Sequence, residues 1–167
     1  RTQIYVGEIP IQGTNSDSIQ VQPADTNLGT PYEPLASLNA AISRITDSTK
    51  DYTIRISGEQ QGNFTLGVTD DVSPNFAAHS VTLCGITGNT TDILNGDEDN
   101  DGTGDGTVLT ITTTAPVTIR NLKITGGGNT VEGGGLNIGP NANVRLENGT
   151  LITENNARNL GGGSYVE

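Results

Sequence analysis

The chain has 167 residues, and Gly supplies 23 of them, about twice the usual share of roughly 7%. Lys and Arg total 8 against 19 Asp and Glu, a formal charge of −11, which opposes nucleic acid or anionic lipid as the main partner. No apolar run approaches the roughly 18–20 residues that a membrane helix needs, and the single cysteine, Cys84, excludes an internal disulfide framework or a multi-cysteine metal site. Only 32% of the residues are hydrophobic, but they fall in short β-branched bursts between Gly, Asn and Thr, a pattern of many short strands with tight turns.

At the N-terminal end, residues 1–30 hold strand-like bursts, Ile4-Tyr5-Val6, Ile9-Pro10-Ile11 and Ile19-Gln20-Val21, among turn residues. They are expected to add early strands or to wrap the first repeat. The chain opens at Arg1 without Met and without a basic leader, and it closes directly after a strand-like burst. The expectation is therefore a segment of a longer protein. Residues 34–46, PLASLNAAISRIT, place Leu35, Leu38, Ile42 and Ile45 on one face at helical spacing, with Pro34 suited to a first turn. This predicts an amphipathic capping helix at about 34–46, within an N-terminal region of residues 1–50.

From residue 51 onward the chain repeats. Residues 117–138 read VTIRNLKITGGGNTVEGGGLNI, and residues 144–166 read VRLENGTLITENNARNLGGGSYV. Val117 aligns with Val144, Ile119 with Leu146, Asn121 with Asn148, and Ile124-Thr125 with Ile152-Thr153. The triplet Gly133-Gly134-Gly135 aligns with Gly161-Gly162-Gly163, and Leu136 and Ile138 with Ser164 and Val166. A third copy starts at Val81, with VTLCGIT and then TVLTI at 107–111; a weaker fourth is YTIRISG at 52–58 followed by NFTLG at 63–67.

A repeat of about 25–28 residues suits three short strands and three turns. One copy cannot bury its apolar side, so stacked copies would form parallel ladders around a narrow core. Turns that need positive φ explain the Gly and Asn at the corners. The expected fold is thus mainly β, a parallel solenoid over residues 51–167 with the capping helix before it. An open end at the last repeat would expose unpaired edges and favour self-association.

The sharpest local feature is the acidic loop NGDEDNDGTGDGT, residues 95–107. Asp97, Asp99 and Asp101 alternate, Gly102 follows, and Asp105 comes four residues after Asp101. Clustered carboxylates with a Gly that lets the chain fold back are what Ca²⁺ requires. The match to helix–loop–helix calcium loops fails at the twelfth position, Val108, and no flanking helices are predicted. Two readings stand: a Ca²⁺ site formed by Asp97, Asp99, Asp101 and Asp105, or a solvated acidic loop between two strands.

Other residues read more plainly. Cys84 sits in a strand-like VTLCGI and reads as a small buried side chain. His79 reads as a surface residue, and Asp70-Asp71 as a turn. The matching Asn121 and Asn148 suggest a side-chain ladder along the stack. Thr110 and Thr112 point outward from one Thr-rich strand, too small an array to bind ice. Asn63, Asn89 and Asn148 lie in N-x-S/T sequons, which carry little weight here.

The segments GGGLNI and GGGSYV and the unit LENGTLITENNARNLGGG resemble the right-handed parallel β-helix repeats of bacterial surface proteins, of the polymorphic outer-membrane-protein and pectate-lyase-like kind. The helix followed by YTIRISGE is similar to the first coil of such proteins, so the resemblance covers residues 31–167. It implies a right-handed parallel β-helix, export, and an extracellular or cell-surface setting. It further implies an adhesin-like, outer-membrane-associated module with a role in virulence and a host protein or glycan as partner. The resemblance to pectate lyases offers the alternative of a carbohydrate-binding or polysaccharide-cleaving domain, for which Arg120, Lys123 and Arg145 would be the basic candidates beside the acidic loop. No lyase active-site motif matches these positions, so the expectation is a protein that is not an enzyme.

Overall fold

The computed structural model describes residues 2–10 and 22–167. Ile11 and the Ile19-Gln20-Val21 burst lie outside the described residues. Ile4-Tyr5-Val6 does form a strand, β1 (Thr2–Val6), whereas Ile9 and Pro10 are irregular.

The expected helix is real but short. Among the described residues α1 spans Leu38–Ser43 only. It starts late because Ser37 takes extended backbone and its Oγ accepts the Ala40 N–H at 3.1 Å, an N-cap. Upstream, Leu35 is committed to a parallel bridge with Val6, and Ile45 leads straight into a strand. The helical spacing of Leu35 and Ile45 thus reports burial on a common side rather than helix: both are fully buried beside Leu38 and Ile42. Asp25 anchors the approach by accepting the Ala36 and Ser37 N–H groups at 3.1 and 2.7 Å. Gln60 holds the helix start from the strand side, accepting from Leu38 N–H and donating to the Ala36 carbonyl.

After the helix come β2 (Thr46–Ile56), β3 (Glu59–Gln61) and β4 (Phe64–Leu66). The next repeat gives β5 (Ala77–Gly85), β6 (Ile93–Asn95) and β7 (Leu109–Ile111). Then follow β8 (Val117–Arg120), β9 (Lys123–Thr125) and β10 (Leu136–Ile138). The last repeat holds β11 (Val144–Leu146), β12 (Leu151–Ile152) and β13 (Ser164–Val166).

Each repeat sends one strand to each of three sheets, ordered β1-β2-β5-β8-β11, β3-β6-β9-β12 and β4-β7-β10-β13. Every strand pairing among the described residues is parallel. The register is the one read from the repeats. Tyr52 faces Val81, Val81 faces Val117 and Val117 faces Val144. Leu136 and Ile138 face Ser164 and Val166, and Phe64 and Leu66 face Leu109 and Ile111. The triplets continue the ladder through the Gly134 and Gly135 N–H groups, which donate to the Gly161 and Gly162 carbonyls.

Alternation decides which side each residue takes. One apolar cluster runs from Ile4 and Val6 through Ile54, Leu83 and Ile119 to Leu136 and Ile138, with α1 packed on it through Leu38, Ala41 and Ile42. The last repeat is different. Leu146, Leu151, Leu160 and Val166 are exposed on or beside β11, β12 and β13, the terminal strands of the three sheets.

Candidate functional site

The acidic loop connects β6 to β7 and so departs from one sheet and returns to another. Its base is pinned by backbone. Gly96 N–H donates to the Thr125 carbonyl, Asp105 N–H to the Gly96 carbonyl, and Gly128 N–H to the Gly106 carbonyl. Gly104 lies so close to the neighbouring repeat that a Cβ there would meet Gly128 N at 2.2 Å and Gly126 O at 2.5 Å. Glycine is therefore required at this contact whatever the loop binds.

Within the loop, Asp97 acts as an internal hub. Its Oδ1 accepts from Asp101 N–H at 3.2 Å and its Oδ2 from Gly102 N–H at 2.9 Å. Asp105 Oδ2 accepts from Glu98 N–H at 2.8 Å. This folding brings carboxylate oxygens of Asp97, Asp99 and Asp105 within 4.8 Å of one another. The fourth candidate, Asp101, stands outside that group, and its Oδ1 accepts the Thr103 N–H at 2.7 Å. A cleft of about 190 Å³ beside the loop is lined by Asp97, Gly102, the 126–128 glycines and Glu154. Three converging carboxylates offer the hard oxygen donors that Ca²⁺ takes, and each already hydrogen-bonded oxygen retains a second lone pair. A cation there would also relieve the mutual repulsion of the three charges.

The basic candidates do not join this cluster. Arg120 and Arg145 project from β8 and β11 in the five-stranded sheet, on the side away from the apolar cluster, where Glu147 lies between them at 3.8 and 3.9 Å. Lys123 belongs to β9 in another sheet, facing Ile93 and Leu151 in register. Arg120 and Arg145 thus belong to a different sheet from the acidic loop's entry strand, whereas Lys123 pairs in register with β6, the strand that leads into the loop.

Cys84 is buried, but its place differs from that of a core side chain. In register it lies between Arg55 and Arg120, on the face opposite the apolar cluster. Arg120 Nε reaches its Sγ at 3.3 Å, and the thiol donates to the Gly85 carbonyl. The contact with Cys84, followed by the charge of Glu147, raises the Arg120 pKa and keeps the guanidinium charged. His79 is exposed and meets Asp51 Oδ1 at 2.7 Å. Asp51 also accepts from the Ser80 hydroxyl, and these two partners, Ser80 first, hold its pKa below the ordinary 3.8. Asp70 and Asp71 lie in a bend closed by Thr69 and Ser73, as the sequence suggests.

The expected ladder between Asn121 and Asn148 runs through the backbone instead: Asn121 N–H donates to the Asn148 carbonyl at 3.3 Å, and Asn121 sits in the left-handed region at φ 53°. Short polar side chains tolerate that region, so the corner selects Asn for backbone shape. Asn155, which the repeats did not single out, bonds the Ile124 and Thr153 carbonyls and the Gly127 N–H with its side chain.

The least legible polar group is Asp92, fully buried. Its Oδ2 accepts the Thr87 and Gly88 N–H groups at 2.6 and 2.9 Å, and its Oδ1 accepts Gly58 N–H from the preceding repeat at 2.9 Å. Only its place in T-G-N-T-T-D, just before a strand, hinted at turn chemistry.

Comparison of the chain with protein-family models, with curated proteins and with solved structures finds no match.

Proposed function

We propose that the three parallel ladders close on one another as a right-handed parallel β-helix, and that this helix is a non-catalytic structural or adhesive module of an exported bacterial protein. The carrying observation is the register that successive repeats keep from Tyr52 through Val81 and Val117 to Val144. The sheets stack copy on copy, and the side chains turned away from the core form columns of mixed polar groups, such as Thr82 and Thr118, or Arg120 beside Glu147. Strand–crossover–strand connections in one sheet are right-handed in about 98% of cases, which gives the hand. A stiff body with polar outer columns suits contact with a host protein or glycan at a cell surface. The acidic loop, through Asp97, Asp99 and Asp105, holds Ca²⁺ as a local brace in this reading.

The test is adhesion. Beads coated with the full chain should bind epithelial cells or matrix above the level of albumin-coated beads, and a polysaccharide panel should show no new reducing ends after incubation. Beads no stickier than albumin would remove the adhesive reading. Cleavage of any polysaccharide that persists through purification would replace it with the lyase-like alternative.

A further inference from the structure

A second concavity lies on the outer side of the five-stranded sheet, far from the acidic loop in sequence. It has a volume of about 360 Å³ and is lined by Tyr5, Ile9, Pro31, Tyr32, Arg55 and Ile86, with Pro10 at its margin. β1 and β2 bring Tyr5 and Arg55 side by side in register. One group orders both: Gln3 Oε1 accepts from the Tyr5 hydroxyl at 3.0 Å and from Arg55 Nε at 2.9 Å. Among the described residues, neither the terminal nitrogens of Arg55 nor the hydroxyl of Tyr32 has a hydrogen-bond or ion-pair partner. Tyr32 is 52% exposed, although most large apolar side chains among the described residues are buried.

We infer that this pocket binds a pyranose ring of a neutral glycan. The lining combines apolar and aromatic surface with a few oriented polar groups, the general make-up of small-ligand sites, and its volume lies at the small end of their roughly 300–1,000 Å³ range. A sugar has the same division: a C–H face that packs on a Tyr ring and a rim of hydroxyls. The planar Arg55 fork, steadied by Gln3, offers paired donors to adjacent hydroxyl oxygens, and the Tyr32 hydroxyl can donate or accept. An anionic ligand would meet only one cation here, against a net charge of −11. A proline-rich peptide would need a run of aromatic slots, and one pocket supplies a single station. The inference names the ligand class of the contact surface that the adhesive reading requires, and to that extent rests on it.

The chain has no Trp and four Tyr, two of them in the pocket, so tyrosine emission reports binding directly. The full chain is titrated with the methyl pyranosides of glucose, galactose, mannose and N-acetylglucosamine, with their disaccharides, and with a polyproline peptide. A saturable change is expected with at least one sugar. Tyr32→Ala and Arg55→Gln should each weaken it by about tenfold or more, Tyr32→Phe by less, and Glu147→Gln, just past β11 and three strands from β2 in the same sheet, not at all. Far-UV circular dichroism checks that each variant folds. Silence with every sugar, an undiminished response in Tyr32→Ala, or a response to polyproline alone overturns the inference. If coated beads still adhere while Tyr32→Ala beads adhere equally, the pocket inference falls and the adhesive reading stands.

Discussion

Replacing Asp92 with Asn changes almost nothing in volume and a good deal in hydrogen bonding. The carboxylate is fully buried and accepts three backbone N–H groups, from Gly58, Thr87 and Gly88, as well as the Thr87 hydroxyl. An amide keeps one acceptor oxygen and presents two donors. If the oxygen serves Thr87 and Gly88, the amide nitrogen faces Gly58 N–H, and one buried donor is orphaned. That orphan costs about 1–3 kcal/mol, and the two surviving bonds lose their charge assistance, worth roughly 0.5–1 kcal/mol each. The sum is about 3 kcal/mol. For a chain of this length each kcal/mol moves Tm by about 2–4 °C, so Asp92→Asn should melt about 6–12 °C lower. Asp92→Ala orphans all three donors and should be worse. Thermal and urea unfolding by circular dichroism give the magnitude. Amide exchange gives the place, with Gly58 losing protection although it lies in the preceding repeat. A loss below about 1 kcal/mol, or a Gly58 amide as protected as before, would refute this account of how successive repeats are tied.

Three further outcomes follow from the same structure. Millimolar Ca²⁺ should raise Tm and chelator should reverse it, by about 2.7 kcal/mol at a hundredfold excess over Kd; Asp97→Asn with Asp105→Asn should abolish the effect and Asp101→Asn should spare it, so that a melt indifferent to Ca²⁺ rejects the site. Gly104→Ala should force the loop off the 126–128 segment at a cost of about 1–3 kcal/mol, seen as large amide shifts at Gly126 and Gly128; a spectrum unchanged there would contradict the close approach. The Asp51 carboxylate, lowered on folding, contributes stability above pH 3.8 that is lost as the pH falls through its lower folded value, and Ser80→Ala should move its carbon-detected titration midpoint upward; an unmoved midpoint would deny the Ser80 bond its part.

The ladders were open to reading because a parallel stack repeats one requirement at each level. A residue in register with Val81, Val117 and Val144 meets the same neighbours, and the alternation leaves its trace in each copy. Helix length was less open. Leu35, Leu38, Ile42 and Ile45 share burial, and burial from a bridge or a strand start imitates helical spacing when the positions fall three and four apart. At the acidic loop, composition pointed to the segment in which carboxylates converge, while the path of the backbone set Asp101 apart from Asp97, Asp99 and Asp105. Asp92 and Asn155 make their bonds across repeats to main-chain groups, and a main-chain partner has no letter of its own in the sequence. Cys84 has the burial of a core residue with the orientation of a surface one, because the Arg120 side chain closes over it.

The taper of the strands has a mechanical consequence. In the five-stranded sheet β2 has 11 residues, β5 nine, β8 four and β11 three. A load that draws Val166 away along the stack meets these short ladders first and breaks their bonds by peeling, a few at a time. Release of the repeat that begins at Val117 should lengthen the molecule by about 90 Å, at ~3.4 Å per residue, and release of the longer repeat that begins at Val81 and carries the acidic loop by about 120 Å. Drawn in a pulling trace, the protein would yield as a staircase that starts at its weakest tread and steepens toward β2.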